Sequence, residues 1–511
     1  MNRLVSLLLA VLVLGTASSA SAGGFYLTDR GAVPLGRGTA YVAGGRDPQA
    51  IWYNPANLAW SGRQLLIDGS MTFFNGSYTR VDSGGNTLPT VDVSAPPIPI
   101  PMIAYSDDFG LDKWTFGAAV FAPNAVLLNW PTTVGSGGNE EPAPQRYSLY
   151  NMKGTAVAYL ALAAAWRPTP RLAIGISPEL IVGRFDATVA MSACDGTICS
   201  QPEDPDYDGV AQFEAFPIIR ATANLGITYD AGKVRLGASA VLPFNLSGNG
   251  TFDVRLPPAA MFQGAYVDGN SMSFDMPFPW ILRTGIEVRP IRNLAIETAF
   301  VIEGWKRQKT VDLTPHDVWI RNVTGIGNYE VGPVSIDRSM HNTYSIRLGI
   351  EYGGLFGGKI TLRAGGFYET TGFDNAHLQA LTLDAWKVYI GAGGSWQVKP
   401  GLYLDGAIGH LFMNDPNVTN SVIAQPTALR PERNGSSPTQ GGPAIIGNGQ
   451  YNMEATMIMG GLRWRFDRAR SAPAAGGSPA PAAGGAPGAQ PTPGEPTPAT
   501  DPGTPTPAPA G

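Results

Sequence analysis

The chain has 511 residues, of which 44% are hydrophobic and only 15% are charged, and its formal net charge is −5 at pH 7. This mild acidity argues against nucleic acid as a partner. The four histidines show no metal-ligand spacing, and no nucleophile-elbow motif or Ser/His/Asp grouping is present, so we do not expect an enzyme such as a lipase.

Residues 1–22 have the three parts of a secretory signal peptide. Arg3 precedes an apolar run over 4–14, and Ala20-Ser21-Ala22 follows as the expected cleavage site. The apolar run is too short to cross a bilayer as a helix, and no other uninterrupted apolar run reaches spanning length. An exported chain of this kind can enter a membrane only as a closed β-barrel, because a barrel leaves no backbone group unpaired in lipid.

Residues 23–60 precede the first predicted strand and do not alternate as a strand would. They contain seven glycines and the apolar side chains of Ile51, Trp52 and Leu58. Because such side chains are poorly placed in water, we expect this segment to be buried as a plug, or hatch, inside a barrel. The alternative is a loose periplasmic extension.

Residues 61–466 contain strands joined alternately by short turns and long loops. The fourteen predicted strands cover residues 64–79, 98–106, 112–123, 148–166, 171–190, 210–229, 232–252, 273–289, 292–305, 341–353, 358–370, 384–398, 401–413 and 451–466. In the tenth, Tyr344, Ile346 and Leu348 alternate with Ser345 and Arg347, so that one face suits lipid and the other a lumen.

A set of antiparallel β-sandwiches would also alternate, but it accounts less well for short turns at one end and long loops at the other. The sequence therefore predicts an all-β fold. It is a 14-stranded antiparallel transmembrane β-barrel over 61–466, plugged by the N-terminal hatch over 23–60.

One long loop carries both cysteines and an acidic run. Export to an oxidising compartment favours a disulfide between Cys194 and Cys199 over two free thiols.

The acidic run in the same loop places carboxylates at alternate positions before Gly209: Asp204, Asp206 and Asp208. This pattern resembles the start of a calcium loop, although the closing Glu214 is one position off, so a solvated acidic loop is the alternative. We expect no other cofactor.

Three methionines share the lumen face of the last predicted strand if Trp464 faces lipid: Met453, Met457 and Met459. Flexible thioethers suit a variable apolar ligand, so these residues are candidates for a ligand path. Packing against the hatch is an equally good interpretation.

Residues 467–511 form a Pro/Ala/Gly-rich tail, which has almost no charge over residues 471–511. It lacks the apolar side chains of a core, so we expect it to be disordered. An even number of strands places both ends of the barrel, and hence this tail, on the periplasmic side with the short turns.

The motif Asn54-Pro55-Ala56 carries the most specific resemblance in the chain. Further matching segments are Gly24-Phe25-Tyr26-Leu27, Leu35-Gly36-Arg37-Gly38-Thr39-Ala40-Tyr41, Trp114-Thr115-Phe116-Gly117 and Tyr344-Ser345-Ile346-Arg347-Leu348-Gly349. On these segments the chain resembles, over about residues 23–466, the FadL/TodX family of outer-membrane transporters for long-chain fatty acids and other hydrophobic compounds. The resemblance implies passive, hatch-gated passage of a hydrophobic small molecule through a protein of the bacterial outer membrane and its lipid. We expect a monomer.

The resemblance also implies a kink in the third strand that opens a side window into the membrane. Pro123 follows Phe121 and Ala122 in the third predicted strand, and proline interrupts a strand ladder, so we place the kink at Pro123 and Asn124. Family members often have the sequence Pro-x-Gly here, whereas this chain has Ala125 in place of the glycine. The geometry of the window therefore does not follow from the resemblance. A plugged surface barrel that acts as an adhesin or receptor through its long loops is the alternative function.

Overall fold

The computed structural model describes residues 30–95, 97–194, 198–199, 201–431 and 443–466. The predicted signal peptide over 1–22 and the predicted tail over 467–511 lie outside the described residues. Within them, no helix combines the length and the apolar character that a membrane-spanning helix requires.

Twenty-five strands make up most of the described chain. The first thirteen are β1 (Gln64–Arg80), β2 (Val91–Asp92), β3 (Ile98–Asp107), β4 (Trp114–Asn129), β5 (Thr133–Val134), β6 (Glu141–Pro142), β7 (Asn151–Trp166), β8 (Leu172–Ser192), β9 (Asp208–Asp230), β10 (Val234–Val241), β11 (Phe244–Arg255), β12 (Tyr266–Asp268) and β13 (Ser271–Phe278). The others are β14 (Ile281–Val288), β15 (Leu294–Glu303), β16 (Thr310–His316), β17 (Trp319–Val323), β18 (Gly327–Glu330), β19 (Val334–Asp337), β20 (Thr343–Gly354), β21 (Ile360–Glu369), β22 (Lys387–Lys399), β23 (Leu402–Met413), β24 (Asn417–Val418) and β25 (Gly449–Arg465).

Helices are few and short in the described part of the chain. The α-helices are α1 (Ala32–Gly36), α2 (Ala50–Tyr53) and α3 (Leu355–Gly358), and the 3₁₀ helices cover Pro55–Trp60, Pro205–Tyr207, Ala260–Phe262, Trp305–Arg307 and Asn375–His377. Two of the α-helices and the first 3₁₀ helix lie before β1, in the segment predicted to be the hatch.

Twenty of the strands form one antiparallel sheet, which closes into a 14-stranded β-barrel because some strands of the wall are divided in two. β5 with β6, and β12 with β17 and β18, form two separate small sheets. The barrel closes between β1 and β25, whose register runs from Gln64 opposite Arg465 to Arg80 opposite Gly449. Closure pairs the first strand of the wall with the last, as a membrane-spanning sheet requires. The predicted fold class is confirmed.

Each of the fourteen predicted strands corresponds to a strand of the wall, and prolines account for the main differences. The predicted seventh strand divides into β10 and β11 at Pro243, and the predicted eighth divides into β13 and β14 at Pro279. Proline has no N–H group to donate to a neighbouring strand, so the ladder is interrupted at these points. The predicted end of the third strand at 123 is wrong, since β4 continues to Asn129.

The two faces of the wall separate as the alternation predicts. Along β20, Ile346 and Leu348 are 57% and 49% exposed, whereas Ser345 and Arg347 are each 2% exposed. The outward apolar row faces lipid, and the inward row contacts the segment that precedes β1.

Candidate functional site

The hatch, residues 30–60 as described, lies in the barrel lumen near the short-turn end. All but three of these residues are buried, the exceptions being Arg46, Ala59 and Trp60. α1 packs against β22 and β23, while the 3₁₀ helix Pro55–Trp60 packs against β7, β8 and β9. The hatch therefore contacts opposite sides of the wall.

Asn54 joins the hatch to β9 by hydrogen bonds. Its Nδ2 donates to the carbonyl oxygen of Val42 at 2.9 Å and to Oγ1 of Thr228 at 3.0 Å. Its Oδ1 accepts a hydrogen bond from the backbone N–H of Ala56 at 3.1 Å, which caps the 3₁₀ helix. The Thr228 hydroxyl donates in turn to Asn57 at 2.9 Å. The amide of Asn54 thus orders the hatch internally and joins it to the wall.

Replacing Asn54 by alanine is expected to loosen the hatch without unfolding the barrel. The change removes donors to Thr228 and Val42, and each such hydrogen bond contributes about 1 kcal/mol, so the closed hatch should lose about 2 kcal/mol. Hydrogen–deuterium exchange of residues 30–60 should then accelerate by more than tenfold, with β1 and β25 unchanged. Unchanged hatch exchange would contradict this role for Asn54.

Two facing glycines of the wall, Gly175 and Gly226, lie against the hatch motif, and we call this pair the glycine seat. Gly175 of β8 lies opposite Gly226 of β9 in the ladder. A Cβ atom added to Gly175 would collide with the backbone of Pro55 and Ala56, and one added to Gly226 would collide with Oδ1 of Asn54. Only glycine allows the hatch backbone to approach the wall this closely. The sequence analysis did not identify this pair, although a glycine inside a strand is a signal of close backbone approach.

Arg37 forms a buried ionic clasp between the hatch and the wall strands β14 and β15. Its Nη2 lies 3.0 Å from Oε2 of Glu287 and 3.2 Å from Oε2 of Glu297. Glu297 also accepts hydrogen bonds from the backbone N–H groups of Ala43 and Gly44 at 2.7 and 2.9 Å. Each of the three charged side chains is at most 3% exposed. Such a clasp fixes the position of the hatch because removing one partner leaves a buried charge without compensation.

The wall is interrupted between β3 and β4. Their pairing stops at Met102 and Phe121, although β3 begins earlier, at Ile98, and β4 continues to Asn129. The ladder between β4 and β7 is also irregular, with register shifts between Phe121 and Asn124 and between Val126 and Leu128. The predicted kink residues Pro123 and Asn124 fall at the first shift; their side chains lie outside the described part of the chain.

Two prolines in β3 supply a local reason for this separation. The backbone nitrogen atoms of Pro99 and Pro101 carry no hydrogen. Because the two residues are two positions apart in a strand, both nitrogen atoms point toward the same neighbouring strand. The ladder between β3 and β1 continues through both prolines. The side of β3 that lacks donors is therefore the side that faces β4.

An apolar groove of about 680 Å³ crosses the outer wall from β3 to β9. Its lining includes Ile103, Val120, Leu160 and Leu180, and apolar surface dominates it. On the inner side of the same wall, hatch residue Trp52 contacts Phe121 and Tyr159, with ring centroids 5.8 and 5.9 Å apart. The hatch, the strand break and a lipid-facing depression thus occupy one sector of the barrel.

A second cavity, of about 350 Å³, lies among the long loops at the other end. Its apolar lining includes Phe185, Val189, Met191, Phe213, Val311 and Leu313. Arg338, in the loop after β19, also lines it; burial lowers the pKa of this guanidinium to about 9, while the Asp384 carboxylate acts in the opposite direction. A mostly apolar cavity with few polar groups is the usual form of a small-molecule site.

The three candidate methionines lie on the inner face of β25. Met453, Met457 and Met459 are each 4% exposed. None of them lines the loop cavity; Met453 borders a different cavity of about 480 Å³, together with Asn75 and Val93. Their burial is compatible with packing in the lumen as well as with a ligand path.

The loop that carries the cysteines is tied to its neighbours. Cys194 and Cys199 form a disulfide, with their Cα atoms 5.7 Å apart. Asp208 accepts hydrogen bonds from Nε of Arg146 at 2.8 Å and from the Tyr147 hydroxyl at 2.7 Å. Among the described residues, no group of three His, Cys, Asp or Glu side chains is placed to hold a metal ion. The carboxylate of Asp208 instead anchors this loop.

The sequence matches the family model described as outer membrane protein transport protein (OMPP1/FadL/TodX) over residues 13–441. The chain belongs to this family. It is an outer-membrane transport protein of the FadL/TodX family, whose members transport hydrophobic compounds. A search of curated protein sequences found no significant match.

Solved structures of the FadL/TodX type share this fold. A Pseudomonas aeruginosa FadL homologue aligns with a TM-score of 0.68 at 15% identity, over 87% of this chain and 100% of the other. The P. putida toluene transporter TodX and the Ralstonia pickettii toluene transporter TbuX align with TM-scores of 0.57 and 0.53. Both are 15% identical and cover 86% of this chain and 100% of their own. At this identity the comparison supports the fold alone.

Proposed function

We propose that the protein moves hydrophobic small molecules passively from the loop cavity, past the hatch, and out sideways through the gap between β3 and β4 into the membrane. The observation that carries this proposal is the end of β3–β4 pairing at Met102 and Phe121. This gap lies beside the hatch residue Trp52 on the inside and the apolar groove on the outside.

A lateral route suits the physical chemistry of an apolar ligand. Transfer of such a ligand into water costs about 0.8 kcal/mol per exposed CH₂ group. A molecule that leaves through the wall passes from an apolar cavity directly into lipid and avoids this cost. The hatch, held by Asn54 and by the Arg37 clasp, would prevent passage of water and ions along the barrel axis.

The ligand class is a long-chain fatty acid or another hydrophobic molecule such as a hydrocarbon. The loop cavity has room for a compact apolar ligand, and the named relatives TodX and TbuX are toluene transporters. Labelled toluene and labelled oleate are therefore suitable probes. Cells that lack this chain should take up at least one of them more slowly than cells that contain it; equal uptake of both would overturn the transport proposal.

The side exit is tested by restoring the missing backbone donors of β3. In the double variant Pro99→Val, Pro101→Val, two N–H groups become available to β4, and each new hydrogen bond stabilises the closed wall by about 1 kcal/mol. Uptake of the transported probe should slow by about thirtyfold. The measurement is the initial uptake rate in cells that contain equal amounts of folded barrel.

Pro315→Val provides the matched control. Pro315 also lies within a strand, β16, but far from the gap, so uptake should be unchanged. If the β3 double variant retains wild-type uptake while its barrel is folded, passage does not depend on this gap and the lateral route is wrong.

A further inference from the structure

Two buried charged side chains between the hatch and the wall lack bonding partners. Arg30 is 3% exposed and Glu179, on the inner face of β8, is 2% exposed. Nε, Nη1 and Nη2 of Arg30 and both carboxylate oxygens of Glu179 have no hydrogen-bond partner among the described residues. The two groups lie within electrostatic range of each other but do not form an ion pair. A second cation, Arg283, lies within range of both, with its guanidinium carbon 4.8 Å from the Trp52 ring centroid.

Further unpartnered polar atoms surround the same place. They are Nε1 of Trp52, Oγ of Ser177 and Oδ1 of Asn224. Ser177 lies opposite Asn224 in the ladder, and Nδ2 of Asn224 donates to the carbonyl oxygen of Trp52 at 2.7 Å. We call these five residues the Arg30–Glu179 cluster: Arg30, Trp52, Ser177, Glu179 and Asn224.

Aromatic rings form the apolar side of this cluster. The guanidinium carbon of Arg30 lies 4.4 Å from the Trp52 ring centroid and 4.0 Å from that of Phe121. Phe121 stacks on Tyr159 with centroids 5.4 Å apart. The ring faces stabilise the cation, but a guanidinium held in this way keeps its N–H groups available to an acceptor.

The wall beside the cluster carries small side chains and is thin. Ala119 of β4 pairs with Ala161 of β7, which in turn pairs with Glu179. The lining of the outer groove includes residues 119, 161 and 179. The cluster therefore adjoins the route proposed above for ligand exit.

We infer that the Arg30–Glu179 cluster binds the hydroxyl group of an aromatic ligand, so that phenols are a preferred substrate class; this inference rests on the proposed transport function. A hydroxyl accepts a hydrogen bond from Arg30 and donates one to Glu179, while the ring packs against Trp52, Phe121 and Tyr159. A carboxylate ligand can only accept, so unlike a hydroxyl it cannot donate a hydrogen bond to Glu179. A hydrocarbon satisfies neither group.

The test compares two ligands that differ by one hydroxyl group, 4-methylphenol and toluene. Binding to the purified full-length protein is measured by equilibrium dialysis, with detergent-only blanks that correct for partition into micelles. Hydrogen bonds to charged groups predict that 4-methylphenol binds about tenfold to hundredfold more tightly than toluene after this correction. Glu179→Leu and Arg30→Met should each abolish this preference while toluene still binds.

Asp107→Asn is the matched control. Asp107 is also a buried carboxylate, at 7% exposure, but it accepts hydrogen bonds from the Tyr105 hydroxyl and the Phe109 N–H group at the periplasmic end of β3. The preference for 4-methylphenol should persist in this variant. Thermal unfolding followed by circular dichroism shows whether each variant contains a folded barrel.

Three results would overturn the inference. The first is an equal affinity of the wild type for both ligands, which means that the cluster holds water only. The second is an unchanged preference for 4-methylphenol in folded Glu179→Leu. The third is tighter binding of benzoate than of 4-methylphenol to the wild type. The first and third comparisons use only the wild-type protein, so their results do not depend on the folding of a variant. If toluene uptake still depends on the chain while the preference is absent, the phenol site is wrong but the transport function stands.

Discussion

Replacing Gly226 by valine is expected to lift the hatch off its seat and to open the lumen to ions. A side chain at this position would collide with Oδ1 of Asn54, and its Cβ would lie 3.0 Å from the backbone nitrogen of Ala56. Overpacking usually costs about 1–3 kcal/mol, and more where backbone atoms prevent relaxation. Because the wall of β9 is paired on both sides, we expect the hatch to move rather than the wall.

The readout is conductance in planar bilayers together with hydrogen–deuterium exchange. Gly226→Val should show stepwise ion conductance that the wild type lacks, and exchange of residues 30–60 should accelerate by at least about tenfold. Gly460→Val is the matched control, since a Cβ on this β25 glycine meets no atom within 4 Å. A closed, slowly exchanging hatch in Gly226→Val would mean that the glycine seat does not determine hatch position.

Replacing Arg37 by leucine is expected to release the hatch from β14 and β15. The change leaves Glu297, which is fully buried, without its cation and removes one of the cations beside Glu287. Loss of one partner from a buried ion pair costs about 3–5 kcal/mol, so exchange of the hatch amides should accelerate by more than about a hundredfold. Hydrogen–deuterium exchange measured on the folded barrel checks this effect.

The triple variant Arg37→Leu, Glu287→Gln, Glu297→Gln separates charge from packing. Once the two carboxylates are neutral, no buried charge remains unpaired at the clasp, and replacement of a whole ionic group is often nearly neutral. Hatch exchange should therefore return close to the wild-type rate. If the triple variant exchanges as fast as Arg37→Leu alone, the loss arises from missing contacts of the arginine stem and not from electrostatics.

The local sequence was sufficient to predict most features of the barrel wall. Strand existence, strand number and the lipid and lumen faces follow from period-two alternation and from turn residues, which act within a few positions of each other. The alternation of Ile346 and Leu348 with Ser345 and Arg347 is an example in which the predicted faces match the observed exposures.

The tertiary structure alone decided how the hatch is held and where the wall separates. Arg37 is 250 and 260 residues from its partners Glu287 and Glu297, and no local pattern links positions so distant in sequence. Pro99 and Pro101 are visible in the sequence, but their effect depends on which neighbouring strand their missing donors face. That is fixed only when the barrel closes and places β1 on one side of β3 and β4 on the other.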